Sequence, residues 1–242
     1  MVDAIGDRMK LYEAAWKPQF PPRMPIIVRV DGRAFHSFTR GMDKPFDEFF
    51  IGVMKESTRL VHENTQGSIF AYTQSDEASF LLQTDRSLQS QMPWGGDVMK
   101  IVSTTAAQMT AFLLETYGTD RLAHFDARAF VMPWDDVPNY FLWRYRDWVK
   151  NSVTMAALAH FSHKQLHEKN TGQKLQMLRE AGHPWEDFAD DVKNGTFIGG
   201  TVAMPVNYES LKATIDALRV DPVVDISDVK WGGISISRDP DL

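Results

Sequence analysis

Asp31, Asp76 and Glu77 are the residues whose types and placement could do chemistry, because each stands where an apolar run gives way to a polar tip. The run Met24 to Val30, MPIIVRV, ends in Asp31-Gly32; the stretch Gly67 to Phe80, GSIFAYTQSDEASF, carries Asp76-Glu77 between two apolar segments. Carboxylates are hard oxygen donors and suit Mg²⁺, which keeps several waters and takes phosphate oxygens as further ligands. One acidic tip alone is by default a solvated turn, since Asp and Ser favour turns on their own account. Two such tips on one edge would be a platform for two-metal phosphoryl transfer. Whether they meet depends on the elements that carry them.

Met24 to Val30 is β-branched and nearly continuous, as expected of a strand buried on both faces, and Asp31-Gly32 is a turn signal. Arg33 to Asp43 is polar and irregular. Pro45 suits the first turn of a helix, and Phe46, Phe49, Phe50, Val53, Met54, Leu60 and Val61 recur at helical spacing, so a helix is predicted from Pro45 to about Asn64. Gly67 then opens a β-hairpin, with Gln74, Ser75, Asp76 and Glu77 as its turn and a second strand over about Ala78 to Gln83. A helix from about Asp97 to Tyr117, stopped by Gly118, and a strand from His124 to Met132, ended by Pro133, follow. The order strand, helix, strand, strand, helix, strand predicts an α+β fold, a ferredoxin-like βαββαβ palm. Right-handed crossover makes the first strand run parallel to the second, so Asp31 and Asp76 should face one another across a single edge, with the Gly32 carbonyl available beside them.

Ahead of the palm, an amphipathic segment around Met9 to Trp16 is stopped by Pro18, Pro21 and Pro22. Beyond it the composition is more helical. Asn139 to about Phe161 and Thr171 to Glu180 read as helices, Thr196 to Pro205 as a strand and Tyr208 to Leu218 as a helix, with a last strand at Ile234 to Ile236 after Trp231-Gly232-Gly233. The expected organisation is a palm catalytic domain with an N-terminal extension over residues 1–136, and a mainly helical region over 137–242 packed on it.

Composition bounds the class. Of 242 residues, 43% are hydrophobic and 24% charged, the balance of a soluble globular chain. No apolar run approaches the length of a membrane span and the start lacks the order of a signal peptide, so a cytoplasmic protein is expected, with no membrane partner. The chain has no cysteine, which excludes disulfides, thiolate metal sites and a cysteine nucleophile, and its seven histidines fall in no zinc spacing. A net charge of −6 argues against a generally basic coat for nucleic acid, while local clusters at Arg23, Arg29, Arg33, Arg40 and Lys44 and from Arg144 to Arg179 could be either solvated faces or a phosphate-contacting groove.

Three ordered stretches carry a family resemblance: Arg29 to Phe38, RVDGRAFHSF; Lys44 to Asp47, KPFD; and Ala71 to Phe80, AYTQSDEASF. Together with Trp143-Arg144, Asp147 and Asn151 they resemble the motifs of the tRNA-His guanylyltransferase superfamily, reverse polymerases that add nucleotides in the 3′-to-5′ direction. Clear motifs run from Met24 to roughly Leu166. The stretch Trp148 to Ser152, WVKNS, has Val149 where the eukaryotic enzymes carry a histidine, and Tyr145 stands at a position usually occupied by glutamine. The pattern is closer to the bacterial and archaeal guanylyltransferase-like proteins, which repair truncated 5′ ends by templated addition.

The resemblance implies ATP and GTP or another nucleoside triphosphate as substrates, tRNA as partner and a homotetramer. It assigns Asp31, Gly32 and Asp76 to two Mg²⁺ ions, with Glu77 as a further ligand or an electrostatic support. Gly32, Arg33, Ala34, Phe35, His36, Lys44 and Ser75 fall to the nucleotide and its triphosphate, and His36 and Ser75 also to activating or holding the 5′ end. A structural hydrogen-bonding role for His36 stands beside that one. Arg29, Arg144, Lys150, Asn151 and Lys174 are expected to contact RNA or phosphate, although Arg29 inside a strand should also need a carboxylate, and Asp147 could instead orient Arg144. Core packing is the default for the Phe35 and Phe38 rings and for Trp143 and Trp148. Two other readings fit the paired aspartates or the basic segment: a palm-type nucleotide cyclase-like enzyme and a catalytically silent RNA-binding module.

Overall fold

The apolar run after Pro25 forms the strand β1 (Ile26–Gly32) in the computed structural model, which describes residues 4–87, 89–119 and 121–219. Ile26, Val28 and Val30 lie in one apolar cluster and Ile27 in another, so the strand is covered on both faces as its composition requires. It runs two residues further than predicted. Pairing continues on both sides, with Asp31 opposite Glu77 and Asp126, and this keeps Asp31 and Gly32 inside the ladder.

A short helical turn, α2 (Phe35–Phe38), follows, and then α3 (Glu48–Asn64). The latter begins at Glu48 rather than Pro45 because Asp47 is its cap, accepting from the Phe50 N–H at 2.8 Å. The hairpin consists of β2 (Ser68–Gln74) and β3 (Glu77–Leu82). Its turn is tighter than predicted: only Ser75 and Asp76 lie outside the strands, Ser75 at φ 48°, and Gln74 pairs with Glu77 in the ladder. The second long helix, α4 (Val98–Tyr117), is capped by Asp97 and ended by Gly118 at φ 64°, and leads to β4 (Phe125–Val131).

The sheet order is β4-β1-β3-β2-β5 with every neighbouring pair antiparallel. β1 and β2 therefore point the same way with β3 between them, the split arrangement of the predicted palm. Helices α3 and α4 bury one face of the sheet through Phe50, Val53, Met54, Ile101, Met109 and Leu113. The other face is covered by α5 (Val137–His160) and α9 (Tyr208–Leu218), whose Phe141, Leu211 and Ile215 meet Phe70, Tyr72 and Leu81.

The far half of α5 makes a third cluster. Val153, Ala156 and Ala157 pack with Leu166 of α6 (His163–Leu166) and Leu178 of α7 (Thr171–Glu180). A short α8 (Asp190–Asn194) then turns the chain into β5 (Thr196–Ile198), which joins the sheet beside β2. That strand is shorter than predicted. Gly199, at φ 92°, ends it where a Cβ would lie 2.5 Å from the Ile69 carbonyl oxygen. The N-terminal segment forms α1 (Ala4–Ala15), none of whose residues is buried, so its apolar positions cover nothing within the described chain. The predicted strand at Ile234 to Ile236 lies outside the described residues. No helix among the described residues is long and apolar enough to cross a membrane.

Phe141 carries the packing of α5 on the sheet, fully buried with its ring edge-on to Phe70 at 4.9 Å. Phe141→Ala is expected to lower unfolding free energy by about 3–5 kcal/mol in urea titrations, while Leu158→Ala on the exposed side of the same helix should change it by less than about 0.5 kcal/mol.

Candidate active site

Strand register brings four carboxylates to one end of the sheet. Asp31 on β1 lies opposite Glu77 on β3 and Asp126 on β4, and Asp76 occupies the adjoining turn, its carbonyl accepting from the Gly32 N–H at 3.0 Å. Like charges directly across a ladder are destabilising, so the chain must offset them. Three arginines do so in part. Arg144 of α5 forks onto Glu77, Nε to Oε1 at 2.6 Å and Nη2 to Oε2 at 2.7 Å. Arg29, two residues back on β1, stands 3.9 Å from both Asp31 and Glu77. Arg128 lies 3.6 Å from Asp126.

The two predicted metal ligands are left least compensated. Among the described residues the Asp31 carboxylate has only Arg29 nearby, beyond hydrogen-bonding distance, and the Asp76 side chain accepts from Ser75 Oγ at 3.1 Å and from its own main-chain N–H, with no cation beside it. Burial pushes the Asp76 carboxyl above its ordinary value, and the charges of Asp31 and Glu77 push it further. Gly32 makes their approach possible. A Cβ there would fall 2.6 Å from Asp76 Oδ2 and 2.4 Å from the Phe35 ring, so only glycine lets the carboxylate close over the end of β1. Two carboxylates with a single arginine near them fit a hard divalent cation. No three acidic or histidine side chains among the described residues form a ready cage, so water or phosphate oxygens must complete any such shell.

Glu77 differs from Asp31 and Asp76. It sits in β3 rather than in the predicted turn, and it and Arg144 are 7% and 6% exposed. Burial raises the Glu77 carboxyl while the guanidinium pulls it down, and the fork geometry is that of an ionised pair. Arg144 in turn lies 3.3 Å from Asp147. Of the residues expected to contact RNA or phosphate, Arg144 is thus turned inward, its guanidinium against two carboxylates. Arg29 is likewise turned toward carboxylates, its buried Nε lacking a hydrogen-bond partner among the described residues. Beneath them Ser79, the residue opposite Arg29, shares a 2.8 Å hydrogen bond with Tyr140, whose phenol burial raises to about 12.

The Gly32 to His36 segment turns away from the strand through Ala34, in the left-handed region at φ 55°. Arg33 donates its N–H to the His124 carbonyl at 2.8 Å. The Phe35 and Phe38 rings are buried against Phe50, Phe125 and Tyr117, leaving only the Phe35 main chain for a nucleotide. Arg33, Ala34, His36 and Lys44 are exposed. Lys44 pairs with no carboxylate among the described residues, and Phe46 beside it anchors its loop on Phe188 at 5.1 Å and Trp148 at 6.4 Å. Lys150 and Asn151 lie exposed on α5. Lys174 is drawn into the α5–α7 seam, where its Nζ donates to Thr154 Oγ1 at 3.0 Å, away from the carboxylates. One residue was not singled out from the sequence and another is placed differently. Asp126 stands beside Asp31 only because β4 neighbours β1, as the palm's strand order dictates; Trp143, read as core, is 53% exposed.

The family profile described as tRNAHis guanylyltransferase matches residues 6–133. A probable tRNA(His) guanylyltransferase of Dictyostelium discoideum is 31% identical over 199 residues, covering 78% of this chain and 71% of that protein. A bacterial tRNA(His) guanylyltransferase-like protein in complex with ATP superposes with a TM-score of 0.77 at 38% identity, over 85% of this chain and 92% of the other. A bacterial protein of the same description in complex with GTP gives 0.71 at 37% identity, over 83% and 86%.

The electrostatics separate two neighbouring acids. Because the folded Asp76 carboxyl holds its proton to higher pH than the unfolded one, stability falls as pH rises from the ordinary carboxylate range through the raised value. Asp76→Asn is therefore expected to unfold at higher denaturant concentration than the parent at neutral pH, the gap closing in acid. Glu77→Gln, which strands the buried Arg144, should cost about 3 kcal/mol in the same titration.

Proposed function

The chain belongs to the tRNA-His guanylyltransferase family of nucleotidyltransferases, and from that premise we propose that it adds nucleotides in the 3′-to-5′ direction to the 5′ end of a tRNA. The convergence of Asp31 and Asp76 on Gly32, both short of cations, carries the reading. These two carboxylates and the Gly32 carbonyl would hold two Mg²⁺ ions, which when bound lower the pKa of an attacking hydroxyl and neutralise charge developing on the phosphates. With the Gly32 and Arg33 N–H groups held by the Asp76 and His124 carbonyls, the main-chain N–H groups of Ala34 to His36 are the ones that receive phosphate oxygens, and Lys44, without a carboxylate partner among the described residues, adds a positive charge to them. The Arg144–Glu77 fork keeps β3 in register with β1, so that Asp76 is presented at a fixed distance from Asp31.

Two transfers use the same edge. A 5′-monophosphate oxygen of the RNA attacks the α-phosphorus of ATP, forming an adenylylated 5′ end and releasing pyrophosphate. The 3′-hydroxyl of the incoming nucleotide, GTP among the candidates, then attacks that 5′-phosphorus and AMP departs with the bonding pair. A 5′-triphosphate end skips the first step. Ser75, beside Asp76, and His36, exposed on the turn, are the side chains available to hold the 5′ end. With Val149 and Tyr145 at the two departures from the eukaryotic pattern, repair of a truncated end against an opposing template base is the favoured form of the activity. A cytoplasmic homotetramer is part of the proposal; α1 with the Trp16 that follows it presents the exposed Ile5, Leu11, Tyr12 and Trp16 as apolar surface available to another copy.

Incubation with Mg²⁺, labelled ATP and GTP, and a tRNA lacking one 5′ nucleotide should lengthen the RNA by the nucleotide complementary to the opposing base. Asp31→Ala and Asp76→Ala should each reduce that lengthening by at least about a hundredfold with the circular dichroism unchanged; lengthening that survives both substitutions, or a cyclic nucleotide as sole product, sinks the reading. Light scattering should return four times the chain mass, and Leu11→Glu with Trp16→Glu a smaller particle if α1 is the contact.

A further inference from the structure

Trp143 is an indole held rigidly with its surface open to solvent. Its ring carries the Arg144 guanidinium at 4.6 Å and meets the edge of Tyr140 at 5.9 Å. Both neighbours are themselves fixed, Arg144 by Glu77 and Tyr140 by Ser79. More than half the side chain nevertheless stays uncovered, at 53% exposure. It lines a groove of 250 Å³ on α5 together with Asn139, Leu142, Arg146, Asp147 and Lys150. Asp147 is occupied by Arg144 at 3.3 Å, whereas Arg146 and Lys150 have no carboxylate partner among the described residues. A fixed aromatic plane flanked by two uncommitted cations is the arrangement that binds single-stranded nucleic acid, the base stacking on the ring and the phosphates pairing with the charges.

Its position selects which nucleotides. The groove adjoins the carboxylate edge through two ion pairs, Asp147 to Arg144 and Arg144 to Glu77, and Glu77 lies opposite Asp31. We propose that Trp143 stacks an unpaired base of the RNA's single-stranded 3′ overhang, next to the 5′ terminus being extended, with Arg146 and Lys150 holding the overhang's phosphates. Interior base pairs of a stem are stacked on both faces and show only their edges in the grooves; the overhang offers unpaired bases with open faces, and the blunt RNA of the test, whose last pair exposes one face, separates stacking on the overhang from stacking on the stem end. This rests on the RNA-end reading given above, and Trp143 acts in it as a binding residue that sets the RNA's position.

The test uses the full chain and two acceptor-stem RNAs, identical except that one carries a 3′ overhang and the other is blunt. Dissociation constants are measured by fluorescence anisotropy, with lengthening assayed in parallel. Trp143→Ala should bind the overhang RNA roughly fivefold to a hundredfold more weakly, the contribution of one stacked base, and Trp143→Phe should recover most of the loss. Blunt RNA should bind parent and variant equally. Unchanged affinity for the overhang, or equal losses on both RNAs, overturns the proposal. So does a smaller particle of Trp143→Ala in light scattering, which would make the indole a contact between copies. If the parent lengthens neither RNA, the parent reading falls and this one with it; if the parent lengthens both and Trp143→Ala does not discriminate, the stacking alone is wrong.

Discussion

The buried fork between Glu77 and Arg144 joins the two halves of the chain at the point where they would otherwise repel or drift. Glu77 belongs to a hairpin strand and Arg144 to the helix laid across it, and each would be costly to bury alone. Around the fork the charges are distributed unequally. Glu77 takes the Arg144 fork, Arg29 is shared between Asp31 and Glu77 at 3.9 Å, and Asp76 has no cation in ion-pairing reach among the described residues. A structure selected for stability alone would compensate every acid at this edge. Burial is the main reason the Asp76 carboxyl stands above its ordinary value, and the neighbouring Asp31 and Glu77 add to it.

Close packing does the rest of the positioning. Gly32 allows the Asp76 carboxylate and the Phe35 ring to crowd the end of β1, and Phe35 and Phe38 sink into the core beneath the turn. Hydrophobic anchors thereby hold a polar loop whose outward groups are free to meet phosphates. Lys44 is set in the same way from the other side. Phe46, two residues on, is packed against Trp148 and Phe188, residues of the second half, so the loop that carries Lys44 is anchored on the helical region as well as on the sheet.

Much of this was legible in the amino-acid order. Alternating element types gave the palm, chirality gave the strand directions, and those two sufficed to bring Asp31 and Asp76 to one edge. What escaped was decided by register and by partners distant in sequence. Glu77 looked like a turn residue until its pairing with Gln74 drew it into β3, where burial demanded a cation. Arg144 and Trp143 are adjacent on α5, yet one is buried and the other open, a difference of a third of a helical turn that composition does not resolve. α1 has apolar residues at plausible spacing but no surface of its own chain to lay them on.

The three residues of β5 have a consequence for how the molecule is made. Tyr72 on β2 donates its hydroxyl to the Asn194 carbonyl, 122 positions away, and the strand beginning two residues later closes that edge of the sheet. During synthesis the palm's other four strands leave the ribosome long before this cover does. In that interval the apolar strand β2, with Phe70 and Tyr72 not yet roofed by α9, is an open template for the β2 of another nascent chain. Once β5 has paired, the long apolar β2 is interior and the edge on that side is only three residues long, whereas a palm expressed without the later residues would keep β2 as its edge.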